Sequence, residues 1–290
     1  MENQTYYGKF NAELAKQDVD IVRAHYNEDA NKEWSRFDGG ARVEFELNKR
    51  FLARYIKPGD RVLDCGGGPG RYSLWLAEMG CDVTLFDLAE ENVKFGLAKA
   101  DELGLKLSGI AGDARKVREL VDGEFDHVLL MGPLYHLTDE ADRRMAVNSC
   151  MDCLKVGGTL STAFISFYGG MVFLLRELIG GGDKYDAAPL ELIDTDLGQI
   201  ERREAFHGDG FTRAYMCFQD EAEQFMGSFD DLEKLHFIGS ESVLAPFIHN
   251  VMSADDATYR RLLDFGERLA ERDELLSFAE HFLHIGRKLR

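Results

Sequence analysis

Basic residues are scarce in this chain: 34 Lys and Arg stand against 52 Asp and Glu among 290 residues, a formal net charge of −18. A protein that grips a nucleic-acid backbone needs clustered Lys and Arg, so the acidity argues against that partner, although net charge can hide a local basic patch. Proline is rarer still, with 5 residues beside 29 Gly, which excludes a collagen-like chain. Long apolar runs are missing. The longest, Met171-Val172-Phe173-Leu174-Leu175, meets Arg176 well before it could span a bilayer. The opening Met1-Glu2-Asn3-Gln4-Thr5-Tyr6-Tyr7 lacks the basic-then-apolar order of a signal peptide. Cysteines number 5 (Cys65, Cys81, Cys150, Cys153, Cys217) and fall in apolar-patterned segments. Only Cys150 and Cys153 have metal or redox spacing, and no second pair or His couple completes a zinc site. Buried thiols in a reducing cytoplasm, with no metal, are the expectation.

What is present suits a globular protein, with 45% hydrophobic and 30% charged residues. The length, about twice that of an ordinary domain, suggests one large domain or a core with additions. Residues 1–55 carry apolar groups at three-to-four spacing and predict helices. After the turn Lys57-Pro58-Gly59-Asp60 the rhythm changes to short apolar strands alternating with helices. Strands are expected at 61–64, 82–87, 107–111, 125–131 and 159–165, with helices at 71–79, 89–103 and 139–154 between them. Such alternation means βαβ units and an α/β doubly wound, mostly parallel sheet. The rhythm fails over 168–210, which keeps aromatic and apolar residues and reads as an inserted cap. It resumes with strands expected at 211–218, near 235–238 and at 282–286, and helices at 219–226 and 256–276.

The central signal is the loop after the first strand, Asp64-Cys65-Gly66-Gly67-Gly68-Pro69-Gly70. Glycines there let the backbone approach a ligand, and the next helix offers unpaired N–H groups. A dinucleotide binder wants a small residue closing G-x-G-x-x-G, but from Gly66 the sixth position is Arg71 and from Gly68 it is Ser73. Pro69 also removes an N–H where a pyrophosphate would be held.

Val62 to Gly70 instead resembles the first motif of class I S-adenosylmethionine-dependent methyltransferases. The resemblance implies a Rossmann-like sheet of seven strands, with Gly66, Gly67, Gly68 and Gly70 passing under the methionine part of the cofactor and Asp64 ordering the loop. It makes Asp87 the acid that takes both ribose hydroxyls, a task suited to a two-oxygen acceptor, and packs Leu88 on the adenine. Gly112-Asp113-Ala114 matches the segment whose acid receives the adenine amino group. Met131-Gly132-Pro133-Leu134-Tyr135-His136-Leu137 looks like the stretch separating cofactor from acceptor, and Leu154 to Leu160 like the opening of the fifth strand. Residues 282–288 look like the antiparallel seventh strand. The run Tyr26 to Arg36 resembles the lid of small-molecule members, in which a tyrosine and an arginine close over the aminoacyl end. The division is then an N-terminal helical lid at 1–55, a core at 56–167 and 211–290, and a cap at 168–210.

Blander readings stand beside these. Asp87 and Asp113 also suit helix caps, since strand-end acids often precede helices. Tyr26 and Arg36 also suit a solvated helix. Tyr135 and His136 are the acceptor-site candidates: a histidine near neutral pKa could take a proton from a hydroxyl or amine, or the pair could line and pack. His207, Tyr168, Tyr185 and Tyr215 belong to the expected cap. The expected activity is methyl transfer to a small-molecule acceptor, by a monomer or homodimer with no nucleic-acid or membrane partner. A non-catalytic cofactor-binding sensor and a methyltransferase of macromolecules remain alternatives. The site reads Gly132-Pro133-Leu134-Tyr135, so the Asn/Asp-Pro-Pro-Tyr pattern of nucleobase amino-group methylation is absent.

Overall fold

The computed structural model describes residues 12–180, 197–209 and 212–290. Helices α1 (Ala12–Glu28), α2 (Ala30–Arg36) and α3 (Arg42–Leu52) precede the first strand. Then β1 (Arg61–Cys65), α4 (Arg71–Glu78), β2 (Asp82–Asp87), α5 (Glu90–Leu103), β3 (Ser108–Ala111), α6 (Val117–Leu120), β4 (Phe125–Leu130), α7 (Glu140–Asp152) and β5 (Leu154–Ser166) alternate. Helix α8 (Phe167–Gly180) follows. Strands β6 (Phe206–Asp209), β7 (Arg213–Cys217), β8 (Leu232–Gly239) and β9 (His281–Lys288) complete the sheet.

Strands β3, β2, β1, β4 and β5 lie side by side, each pair parallel. Strand β9 runs antiparallel along β5, Thr159 opposite Arg287 to Ile165 opposite His281, and β8 runs antiparallel to β9. These seven strands are the expected sheet. Two more extend it: β7, within the strand expected at 211–218, joins only the tip of β5, at Ile165–Met216 and Ser166–Cys217, and β6, not expected, pairs with β7 as a hairpin. With four residues including a glycine, β6 carries too little alternation to be read in sequence, and its pairing comes from β7.

Strand alternation sorts side chains to the two faces. Leu63, Val128 and Leu130 join one buried cluster, with Ala146, Val147 and Cys150 of α7, while Val62 and Leu129 join another, with Phe51 and Leu52 of α3 and Tyr72 and Leu76 of α4. Phe86, fully buried, is worth roughly 1.5–3 kcal/mol of transfer free energy. A third cluster joins Val43 and Leu47 of α3 to Leu244, Ile248 and Leu263. So α3 is anchored to the sheet domain on two sides. All five cysteines are buried and free of disulfides.

Three helix boundaries are set by single residues. Gly70, in left-handed conformation (φ 88°), starts α4. Gly104 (φ 69°) ends α5, where its N–H reaches Ala100 and Asp101 carbonyls. Asp139 caps α7 by accepting from the Ala141 N–H at 2.6 Å. Among the described residues no helix is long and apolar enough to cross a membrane.

Candidate active site

The turn after β1 is built against the turn after β4. Gly66 has φ 80°, and a Cβ there would lie 2.3 Å from Pro133 Cδ, so any larger residue collides with the second turn. Gly68 (φ 56°) is different: no heavy atom lies within 4 Å of where its Cβ would be, so this part of the loop faces open space. Beneath the loop, buried Asp64 accepts from Ser73 Oγ at 2.7 Å, tying the end of β1 to α4. Burial pushes the Asp64 carboxyl up to about 6, against the lowering effect of the Ser73 bond.

Asp87 sits at the end of β2, 8% exposed. Its Oδ2 accepts from the Gly68 N–H at 2.8 Å, and its Oδ1 accepts from the Ala89 N–H at 2.9 Å and the Asn92 amide at 3.1 Å. One carboxylate therefore organises the start of α5 with one oxygen and the glycine turn with the other. Burial raises its pKa despite these three donors. Asp113, after β3, accepts from its neighbour Arg115 through both side chain and backbone, and Arg115 reaches Asp142 at 2.7 Å. Burial alone would raise the Asp113 carboxyl, but the Arg115 bonds hold it below the usual range.

A pocket of about 540 Å³, counting the space at its open mouth, runs along this edge. Gly66, Leu88, Asp113, Ala114, Tyr26 and His136 all line it. Val19 and Val22 of α1, with Phe86, Gly112, Pro133 and Leu137, complete the wall. The sequence reading did not select Val19, Val22 or Phe86 as site residues. The signal available for the two valines was the apolar stripe of α1, which also fits packing.

His136 joins the lid to the core. Its Nδ1–H donates to the Arg213 carbonyl at 2.9 Å, which leaves Nε2 to accept from the Tyr26 hydroxyl, also at 2.9 Å. Burial lowers His136 to about 4, with the Arg213 bond acting in the opposite direction. The imidazole is thus neutral near pH 7, with a pKa well below the near-neutral value expected from sequence. Tyr135 donates to the Met131 carbonyl at 3.2 Å, and burial pushes its pKa far above the ordinary phenol range.

A second cavity of about 750 Å³ is lined by His281, whose ring centre lies 6.4 Å from that of Tyr135. Arg36 lines this second cavity, whereas Tyr26 lines the first. Arg36 pairs with Glu33 at 3.1 Å. Leu134 is fully buried in the core and Pro133 takes the place in the pocket wall. Met131 packs against the core cluster on the α3 side. Gly132 is pressed to the glycine turn, with its Cβ position 2.8 Å from the Gly66 carbonyl oxygen. Of the cap residues, His207 donates to the Thr138 carbonyl at 2.9 Å, Tyr215 is stacked under Arg143, and Tyr168 packs edge-on to Phe218. Tyr185 lies outside the described residues.

An open parallel sheet, a glycine turn after its first strand and a crevice at its carboxyl edge define the Rossmann-like fold of class I methyltransferases. Residues 62–158 match the family model described as "Methyltransferase domain". Over these residues the chain is similar to that methyltransferase domain. Among curated proteins it is similar to the ubiquinone biosynthesis O-methyltransferase of Xanthomonas campestris pv. campestris, 34% identical over 135 residues, covering 45% of this chain and 55% of that one. The Bordetella pertussis protein of the same name is 33% identical over 137 residues, covering 44% and 56%. The chain thus spans just over half the length of these relatives. Among solved structures it is similar to the 1,6-didemethyltoxoflavin-N1-methyltransferase of Burkholderia thailandensis, with TM-score 0.59, 13% identity, and coverage of 100% of this chain and 98% of that one. It is also similar to the magnesium protoporphyrin IX methyltransferase of Synechocystis PCC 6803, with TM-score 0.55, 16% identity, and coverage of 93% and 99%. At such identities these two likenesses speak to the fold alone.

Proposed function

We propose that this protein binds S-adenosylmethionine in the pocket at the carboxyl edge of the sheet and methylates a small molecule. The observation that carries the reading is Asp87, a buried carboxylate that holds the N–H of Gly68 at the one point of the glycine turn with open space above it. Leu88, which follows Asp87, lines the pocket with Asp113, Ala114, Gly66 and Tyr26, and an adenosine would be held by the first three. The residues present fit the group: a two-oxygen acceptor, an apolar platform and a second acid follow one another at successive strand ends.

When bound, the cofactor supplies a sulfonium methyl already activated for in-line displacement by an acceptor's lone pair. The protein's part is to hold that acceptor in line, exclude water and receive a proton if the acceptor is a hydroxyl or amine. Val19, Val22 and Leu137 make the apolar walls that exclude water. His136 lines the first cavity, Tyr135 packs beside His136 and near His281 of the second, and the acceptor is assigned to the second. His136 acts first by orientation, fixing the Tyr26 lid. It takes a proton only through Nε2, after Tyr26 releases that lone pair. The acidic net charge favours a small metabolite over a nucleic acid. The five buried free thiols favour a cytoplasmic setting.

The test is a labelled-methyl transfer screen over phenols, amines, thiols and carboxylates. Transfer to one class is expected and identifies the acceptor atom. Tight cofactor binding with no transfer to any class would leave a binding protein without methyl transfer.

A further inference from the structure

The second cavity contains a cluster that no sequence spacing announces. Glu44 from α3, Glu241 from the segment after β8, and His281 at the start of β9 bring one ligand atom each to within 4.8 Å of one another. Glu241 Oε2 is committed to the backbone N–H groups of Glu280 and His281, at 2.9 and 3.0 Å, so the carboxylate is locked in place with Oε1 turned to His281 Nδ1 at 2.6 Å. Glu44 is 8% exposed, and its Oε2 has no hydrogen-bond partner. That oxygen lies 3.8 Å from His281 Nδ1, too long for a hydrogen bond but suited to two ligands sharing an ion. Arg176 pairs with Glu280 and the Ala245 carbonyl, and Arg36 pairs with Glu33 while its charge also acts on Glu44 without a hydrogen bond to it. A buried carboxylate oxygen that makes no hydrogen bond is costly, and a bound cation would relieve that cost.

We propose that Glu44 Oε2, Glu241 Oε1 and His281 Nδ1 form a site for a first-row divalent cation at the wall of the acceptor cavity. Two carboxylates and one imidazole suit Mn2+ or Zn2+ better than a thiolate-seeking metal. Three protein ligands leave coordination positions facing the cavity, as in metal sites that take a substrate. The cation's cavity-side ligand is an acceptor with an oxygen donor, a phenol or hydroxy acid. This last step rests on the methyltransferase reading, whereas the metal site does not.

The experiment is a titration of the EDTA-stripped full chain with MnCl2, counting free Mn2+ by its electron paramagnetic resonance signal. One equivalent bound is expected, displaced by ZnCl2, with affinity reduced at least tenfold in Glu44→Gln and in His281→Gln. Two variants from different elements guard against one failing to fold, which a thermal melt of each reveals. Wild-type protein that leaves all Mn2+ free, or folded variants that bind it as tightly as wild type, would overturn the site. S-adenosylhomocysteine titrated into the same samples separates the two ideas, since its failure to bind beside an intact Mn2+ site counts only against the methyltransferase reading.

Discussion

At the scale of the residue, Gly66 is where the chain has least freedom. It needs a positive φ, and its missing Cβ is what lets the turns after β1 and β4 touch. Gly104 has a similar φ with nothing near its Cβ position. Gly104→Ala therefore carries only the left-handed penalty, about 1–2 kcal/mol. Gly66→Ala adds a clash with Pro133 and should cost clearly more, with loss of ligand binding. Urea unfolding of the two variants makes the comparison, and equal costs would contradict the contact. The glycine run itself was plain in the sequence, as were the strand-end acids. The double duty of Asp87 was not, because the choice between cap and loop contact depends on where Gly68 and Ala89 sit relative to each other, and the fold alone sets that.

At the scale of the element, α1 is held over the pocket by a closed set of contacts. Asp18 lies 2.8 Å from the Arg213 guanidinium and accepts from Thr138 Oγ1 at 3.0 Å, the Arg213 carbonyl accepts from His136, and His136 accepts from Tyr26 back on α1. Breaking one partly buried ion pair costs about 1–2 kcal/mol. Asp18→Asn should then speed amide exchange over residues 18–28 by roughly 5–30-fold while leaving the sheet unchanged. Unaltered exchange there would mean that α1 is held by its apolar face alone. Strands β1 to β5 and their helices could be read from period-2 and period-3.6 patterning. The contacts of α1 with β7 could not, because they join residues nearly 200 positions apart with no local pattern. The same holds for Glu44, Glu241 and His281, which share a cavity only once α3, β8 and β9 are in place.

At the scale of the whole molecule, buried neutral histidines set the acid limb of stability. His284, 2% exposed, has an Nδ1 without a partner, and burial lowers it to about 4; His136 is lowered to a similar value. A histidine whose folded pKa is depressed stabilises the fold above its unfolded pKa, near 6.5, and that contribution is lost as pH falls from there toward 4. For His284 the full loss is about 3 kcal/mol. Denaturant midpoints measured from pH 7 to 4 should fall, and His284→Phe should make the fall shallower. A variant with the wild-type slope would remove His284 from the acid limb.

The claim on which the rest depends is that the crevice is a cofactor site organised by Asp87, and isothermal titration tests it most directly. S-adenosylmethionine should bind the wild-type chain, and Asp87→Ala should weaken it by about 1.5–3 kcal/mol, the scale of a hydrogen bond to a charged group. An unchanged affinity in Asp87→Ala would reduce Asp87 to the cap of α5. Tight binding of NAD with none of S-adenosylmethionine would contradict the assignment altogether.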